Sequence, residues 1–133
     1  VDLMKLEPNT KHPHGLTDPD YDALFTKDKP IIFAFHGYPG VVHQLVHGRP
    51  DADRFHVRGF IEEGTTTTPF DMVVRNRADR YHLVIDAINN CKRTVRGGAD
   101  LKRWCEEQLA KHEVYKVENL EDLPEVRDWT FEE

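Results

Sequence analysis

The stretch PIIFAF at residues 30–35 decides the fold of this 133-residue chain. It is continuously apolar and mostly β-branched or aromatic, which is typical of a central parallel strand covered by helices on both faces. After the turn-like HGYPG at 36–40, apolar residues at helical spacing over 41–46 predict a helix that ends near Gly48. A second strand is predicted at about 55–61. Strand, helix and strand in this order indicate a right-handed βαβ unit, which requires a sheet flanked by helices.

The residues before this unit predict two further elements. The opening VDLMKLEP places apolar residues ahead of a Pro, Asn and His cluster, so we interpret it as the end of a strand that leads into a loop. Asp18 and Pro19 provide a cap and a first helical residue for a short amphipathic helix that extends to Thr26.

The residues after the unit predict three helices and a surface tail. Thr68 and Pro69 cap and start one helix, and a second begins near Arg77 and ends at Asn89 and Asn90, with its apolar stripe on Tyr81, Val84, Ile85 and Ile88. The third follows Gly97 and Gly98. Its predicted features are an apolar face of Leu101, Trp104, Cys105 and Leu109, and Lys111 and His112 near its C-terminus. The acidic tail from Glu118 is expected to wrap the surface.

Length and composition favour one compact domain, 1–133, with a single hydrophobic core. No apolar run approaches the roughly 20 residues that cross a bilayer, and the first residues lack the features of a signal peptide, so we expect a cytoplasmic protein.

Cys91 and Cys105 do not form a CxxC pair and are expected to be reduced, structural thiols. A formal charge of −6 with scattered basic residues disfavours nucleic-acid binding.

Two sets of residues invite hypotheses about ligands. His43 and His47 lie four apart on a predicted helix and could grip one metal ion, but Gln44 stands where an HExxH protease has its glutamate, so surface histidines are the simpler interpretation. Thr67 and Thr68, at the end of the run 65–68, could offer hydroxyls and helix amides to a phosphate; ordinary capping is the alternative.

The loop after the first predicted strand is the remaining candidate. His36 and Tyr38 follow the carboxyl end of that strand, where open α/β sheets place their ligand crevice. The competing hypothesis is that this loop docks against a neighbouring domain or subunit. The chain has neither GxGxxG nor GxxxxGK[ST], so no nucleotide fingerprint is present.

Several long strings resemble one family. HPHGL at 12–16, FAFHGYP at 33–39, HVRG at 56–59, EEGTTTTPFDMVVRN at 62–76, DRYHLVIDAI at 79–88 and LEDLPEVRDW at 120–129 are similar, in the same order, to the C-terminal region of phosphoketolases. The chain departs from the family pattern at Gly40, where an aromatic residue is expected, and over 90–100. These departures concern local loop geometry.

The resemblance implies a three-layer α/β/α sandwich with a mostly parallel, five-stranded sheet, like the C-terminal domain of transketolase, whose first strand would end at Val1–Met4 and begin upstream. It implies a homodimeric or larger lyase that uses thiamine diphosphate and Mg²⁺ to cleave xylulose 5-phosphate or fructose 6-phosphate with phosphate. The products would be acetyl phosphate and a shorter aldose phosphate.

The family places its catalytic groups in two preceding domains that meet across the subunit interface. Its GDG motif and activating glutamate have no counterpart here, so we assign no catalytic, cofactor-binding or metal-binding residue to this chain. The leading hypothesis is a structural and assembly domain that is inactive alone. The alternative is a regulatory module that binds a phosphorylated effector.

Overall fold

The computed structural model describes residues 2–130, and its contacts divide the chain into two compact units, Val1–Phe60 and Ile61–Glu133. Each unit has its own cluster of buried apolar residues, so the expectation of one hydrophobic core is wrong for the described residues. The expectation that the two units form a single domain stays a prediction. No helix among residues 2–130 combines the length and the apolar character needed to cross a membrane.

The first unit begins with a 3₁₀ helix, Leu3–Leu6, where the sequence predicted the end of a strand. That prediction is wrong for residues 2–4, and Val1 lies outside the described residues. The cause is local, because the Asp2 side chain accepts a hydrogen bond from the Met4 amide at 3.1 Å and so caps the turn. Leu6 then enters the core.

The predicted short helix is confirmed as α1, Asp18–Phe25, with Pro19 in its first turn. Its cap is Thr17 rather than Asp18, because the Thr17 hydroxyl oxygen accepts from the Asp20 amide. Thr26, the predicted last residue, lies just beyond the helix with a positive φ of 59°.

The βαβ unit is confirmed. Strand β1, Ile31–Ala34, pairs in parallel with β2, Phe55–Arg58, in the register Ile31 to Phe55, and helix α2, Pro39–Val46, connects them. The α/β class with parallel strands is therefore as predicted. Within residues 2–130 the sheet has two strands, whereas the family resemblance implied five. Accordingly β1 is an edge strand here and only partly buried.

The core of the first unit joins the 3₁₀ helix, α1, α2 and β2. It comprises Leu6, Tyr21, Val42, Val46, Phe55 and Val57. Beside it the fully buried Arg49 side chain donates hydrogen bonds to three carbonyl oxygens and one carboxylate, those of Leu6, Glu7, Leu16 and Asp18, at 2.6–2.9 Å. Its guanidinium carbon also lies 4.0 Å from the Tyr21 ring centroid. One cation thus holds the loop before α1 in place.

In the second unit the described residues form four helices. They are α3, Pro69–Arg75; α4, Arg80–Asn90; α5, Gly98–Asn119; and α6, Pro124–Arg127. The predicted start of α3 and end of α4 are confirmed. The predicted start of α4 near Arg77 is three residues early, because Arg77 takes a positive φ of 53° and Asp79 caps the helix.

Helix α5 continues seven residues beyond His112, which the sequence placed near its C-terminus. On its predicted apolar face, Cys105 is buried against Tyr81 and Ile85 of α4. Leu101 and Trp104 remain about half exposed. The acidic tail is not only a surface wrap, since Asp122 and Leu123 are buried and α6 follows them.

Candidate functional site

The first turn of α3 is hydrogen-bonded by other side chains of the same chain. The Thr68 hydroxyl oxygen accepts from the Asp71 amide at 3.4 Å, and Oδ2 of Asp122 accepts from the Phe70 amide at 3.0 Å. The Thr67 hydroxyl donates to Oδ2 of Asp71 at 2.6 Å. Groups that the sequence offered to a phosphate therefore already have partners. A carboxylate, rather than a bound anion, meets the positive end of this short helix.

Asp71 is the electrostatic centre of this region and is 1% exposed. Its Oδ1 accepts from Nζ of Lys116 at 2.7 Å, and its Oδ2 accepts from Nε of Arg75 at 2.8 Å. Burial by itself would raise the pKa of Asp71, but hydrogen bonds from Lys116, Thr67 and Arg75 outweigh burial and lower the pKa to about 2. The carboxylate is thus ionised at neutral pH.

Lys116 is neutralised from two sides, because its Nζ also contacts the Glu113 carboxylate. Burial acts to lower the pKa of Lys116, yet the hydrogen bonds to Asp71 and Glu113 raise it overall. This lysine is held as a permanently charged structural cation. It is not poised to exchange a proton near neutral pH.

His112 lies in the middle of α5, and its side chain is 1% exposed. Its ring meets the Phe70 ring edge to face, with centroids 5.0 Å apart. Its Nε2 lies 3.7 Å from Oδ1 of Asp122, beyond hydrogen-bond distance. The histidine therefore packs under α3 as part of the core.

A groove of about 790 Å³ runs along the surface beside these residues. Its lining includes Thr66–Pro69 around the start of α3 and Lys116, Val117 and Leu120 at the end of α5. We call it the α5-end groove. Thr67 and Thr68, two of the predicted candidate residues, both line it.

The other candidate residues, His36 and Tyr38, belong to the first compact unit. The His36 ring stacks on Phe60 with centroids 4.4 Å apart, and the Phe60 amide donates to the Gly37 carbonyl at 2.8 Å. Tyr38 precedes α2 and is largely exposed. The loop presents an aromatic surface, and its ligand-binding and docking roles stay predictions.

The histidine pair considered for a metal sits at the end of α2, with His43 in the helix and His47 at its C-cap, both exposed. Across residues 2–130, no three or more His, Cys, Asp or Glu side chains come together in a way that could hold a metal ion. Both cysteines are free thiols, exposed at Cys91 and buried at Cys105, where burial raises the pKa.

Sequence reasoning missed the cluster formed by Asp71, His112, Lys116 and Asp122. Asp71 and Lys116 are 45 residues apart, and Phe70 and Asp122 are 52 apart, so no local pattern joins them. The available signals were local spacings, namely Asp71 and Arg75 four apart on α3 and Glu113 and Lys116 three apart on α5.

Comparison with known proteins agrees with these observations. The profile of the XFP C-terminal domain family matches residues 1–131. The chain is 53% identical over 131 residues to a "Probable phosphoketolase" of Bradyrhizobium diazoefficiens and 55% identical over 131 residues to one of Rhodopirellula baltica, in each case covering 98% of this chain and 16% of the relative. It is 52% identical over 133 residues to one of Chlorobaculum tepidum, covering 100% of this chain and 17% of the relative.

The chain belongs to the phosphoketolase family. It matches the C-terminal domain of that family, as the six quoted strings predicted, and its parallel α/β architecture agrees with the transketolase C-terminal-like fold of that domain. The phosphoketolase relatives are about six times as long as the matched region, which spans 16% to 17% of each.

Proposed function

We propose that this chain is the structural and assembly domain of a thiamine-diphosphate-dependent phosphoketolase. The observation that carries the proposal is the family match over nearly the whole chain, which covers about one sixth of the relatives. The polar cluster around Asp71 supports it, because those charges bind one another. Paired buried charges position helices, whereas a catalytic acid or base needs a substrate within reach.

The full-length enzyme would be an aldehyde-lyase that cleaves xylulose 5-phosphate or fructose 6-phosphate with inorganic phosphate. It would release acetyl phosphate and an aldose phosphate, in the cytoplasm, as a homodimer or larger assembly. Thiamine diphosphate with Mg²⁺ would supply the carbanion-stabilising chemistry. The partners of this domain would be the preceding domains of its own polypeptide and a second subunit.

Residues 2–130 do not fit a thiamine diphosphate site of their own. The sequence lacks the diphosphate-binding GDG motif of the family. The reaction would therefore take place in the preceding domains.

The regulatory alternative stays a prediction. The α5-end groove has room for a small ligand, and Thr67 and Thr68 line it. Lys116 and Arg127, which line it, are each engaged by two carboxylates, which disfavours an anionic effector. Calorimetric titration of the chain with sugar phosphates and nucleotides tests this alternative, and saturable heat would establish it.

The proposed function is tested by comparing the isolated chain with a chimera in which this chain replaces the matching part of the Chlorobaculum tepidum relative. With fructose 6-phosphate, phosphate, thiamine diphosphate and Mg²⁺, the chimera should form acetyl phosphate and the isolated chain should not. Turnover by the isolated chain above a heat-treated control would overturn the proposal. A folded chimera without activity, beside an active parent enzyme, would also count against it.

A further inference from the structure

We propose that the α5-end groove receives an apolar segment from the remaining polypeptide of the same phosphoketolase. This inference rests on the proposed function as an assembly domain and specifies which surface performs it. The occupant is an apolar chain segment of the same subunit, rather than a small anion or a second copy of this chain.

Helix α5 carries apolar side chains on two sides. One side packs on α4 through Cys105 and Leu109. The other presents Val117 and, at the C-cap, Leu120, which both line the groove and are 66% and 82% exposed. An exposed apolar row beside a groove marks an interaction surface.

Leu120 occupies a position whose backbone conformation disfavours leucine. It is the C-cap of α5 with φ 58° and ψ 27°, in the left-handed region where helices usually place glycine or asparagine. A leucine there costs backbone energy and, in this chain alone, leaves most of its side chain in water. Both features are explained if the side chain is buried by a partner.

The charges of the groove select an apolar occupant. Nζ of Lys116 contacts the carboxylates of Asp71 and Glu113. On the same rim, the Arg127 guanidinium lies 2.8 Å from Asp128 and 3.5 Å from Glu121. A phosphate would have to break these pairs, whereas an apolar segment would leave them as the polar rim of an interface.

The length of the phosphoketolase relatives indicates which polypeptide supplies the segment in the groove. This chain matches only 16% to 17% of each phosphoketolase relative, so most of the polypeptide lies outside it. A segment on the same chain meets the groove at an effective concentration in the millimolar range, which a separate molecule rarely reaches. We therefore place the occupant within the same subunit.

Chemical labelling tests this inference. A Leu120→Cys variant is prepared as the isolated chain and in the chimera with the Chlorobaculum tepidum relative, and each is labelled with a maleimide and read by mass spectrometry. The native exposed thiol Cys91 is an internal reference, and Leu24→Cys, at an exposed apolar residue of the first unit, is the matched control.

In the isolated chain, Cys at position 120 should react about as fast as Cys91. In the chimera its labelling rate should be lower by a factor of roughly ten or more, as expected for a thiol shielded in a cooperatively packed interface. Equal rates in both contexts would overturn the inference. Slow labelling in the isolated chain would also overturn the inference. Protection that depends on protein concentration would indicate that a second copy covers the groove. Protection that does not depend on concentration would indicate that this chain itself covers it.

The two proposals fail separately. A chimera that makes acetyl phosphate but labels freely at position 120 refutes the groove inference alone, and a protected but inactive chimera refutes the proposed reaction alone. If the chimera does not fold, the cysteine is placed at the matching position of the full-length relative, and its labelling decides the inference in the same way.

Discussion

Nζ of Lys116 lies 2.7 Å from Oδ1 of Asp71, a residue 45 positions earlier in the chain and almost completely buried. This ion pair ties the end of α5 to the first turn of α3. With Arg75 and the Thr67 hydroxyl on the other carboxylate oxygen, Asp71 fixes three chain segments at once. The stability of the second unit should depend on it more than on any exposed pair.

Replacing Asp71→Asn should destabilise the second unit by about 3 kcal/mol, because it leaves Lys116 partly buried without its principal counter-charge. Urea unfolding followed by tryptophan fluorescence measures this directly, since both tryptophans, Trp104 and Trp129, lie in this unit. The matched control is Asp100→Asn at an exposed pair with Arg103, which should leave the unfolding midpoint unchanged. Equal effects from both variants would contradict the assignment.

Acid should remove the contribution of Asp71. Its pKa falls from 3.8 to about 2 in the folded chain, so below pH 4 the unfolded state binds the proton more readily and stability falls with pH. The contribution is about 2 kcal/mol, fully present above pH 4 and lost as pH drops towards 2. Unfolding curves of the parent chain and Asp71→Asn should therefore converge over this range. Curves that stay parallel would show that Asp71 is not the group responsible.

Leu120→Gly should stabilise the isolated chain slightly, by roughly 0.5–1 kcal/mol, because glycine accepts the left-handed backbone without strain. The same change at Leu101, inside α5, should instead destabilise it by about 1 kcal/mol. Thermal unfolding of the two variants checks the opposite signs. A loss of stability at both positions would mean that the Leu120 side chain is already packed in this chain.

Arg49→Lys should loosen the loop before α1, since a lysine cannot reproduce the fork that binds three carbonyls and one carboxylate. Hydrogen exchange of the amides over 7–17 should rise by roughly tenfold or more. Lys27→Arg, at an exposed pair with Asp22, is the control and should leave the same amides unchanged. Unaltered exchange in Arg49→Lys would refute the clamp.

The elements that could be predicted from sequence are those whose signals are local. PIIFAF gave a strand, the Thr68 and Pro69 pair gave the start of α3, and Asn89 and Asn90 marked the end of α4. The errors arose where a nearby side chain changed the outcome, as when Asp2 capped a 3₁₀ turn and Thr17 took the cap expected of Asp18. Helix α5 extends further than predicted because no glycine or proline interrupts residues 113–119, and it ends where Leu120 takes a left-handed backbone conformation.

The candidate site was predictable only in part. Thr67 and Thr68 were found because helix caps have a sequence signature. Their partners were not, because Asp122 and Lys116 reach α3 from distant positions that sequence spacing does not relate. The carboxylate that accepts from the first turn of α3 was therefore determined by a contact between residues distant in sequence, and not by local helix propensity.

The Asp122 carboxylate on the Phe70 amide has a consequence for biosynthesis. Residues leave the ribosome at about 5–20 per second, so Asp122 emerges several seconds after Phe70. Until then the first turn of α3 lacks its carboxylate partner, and a nascent chain stalled before residue 122 would keep that turn open to chaperones and proteases. The synthesis of residues 71–122 is therefore the vulnerable interval for this part of the chain.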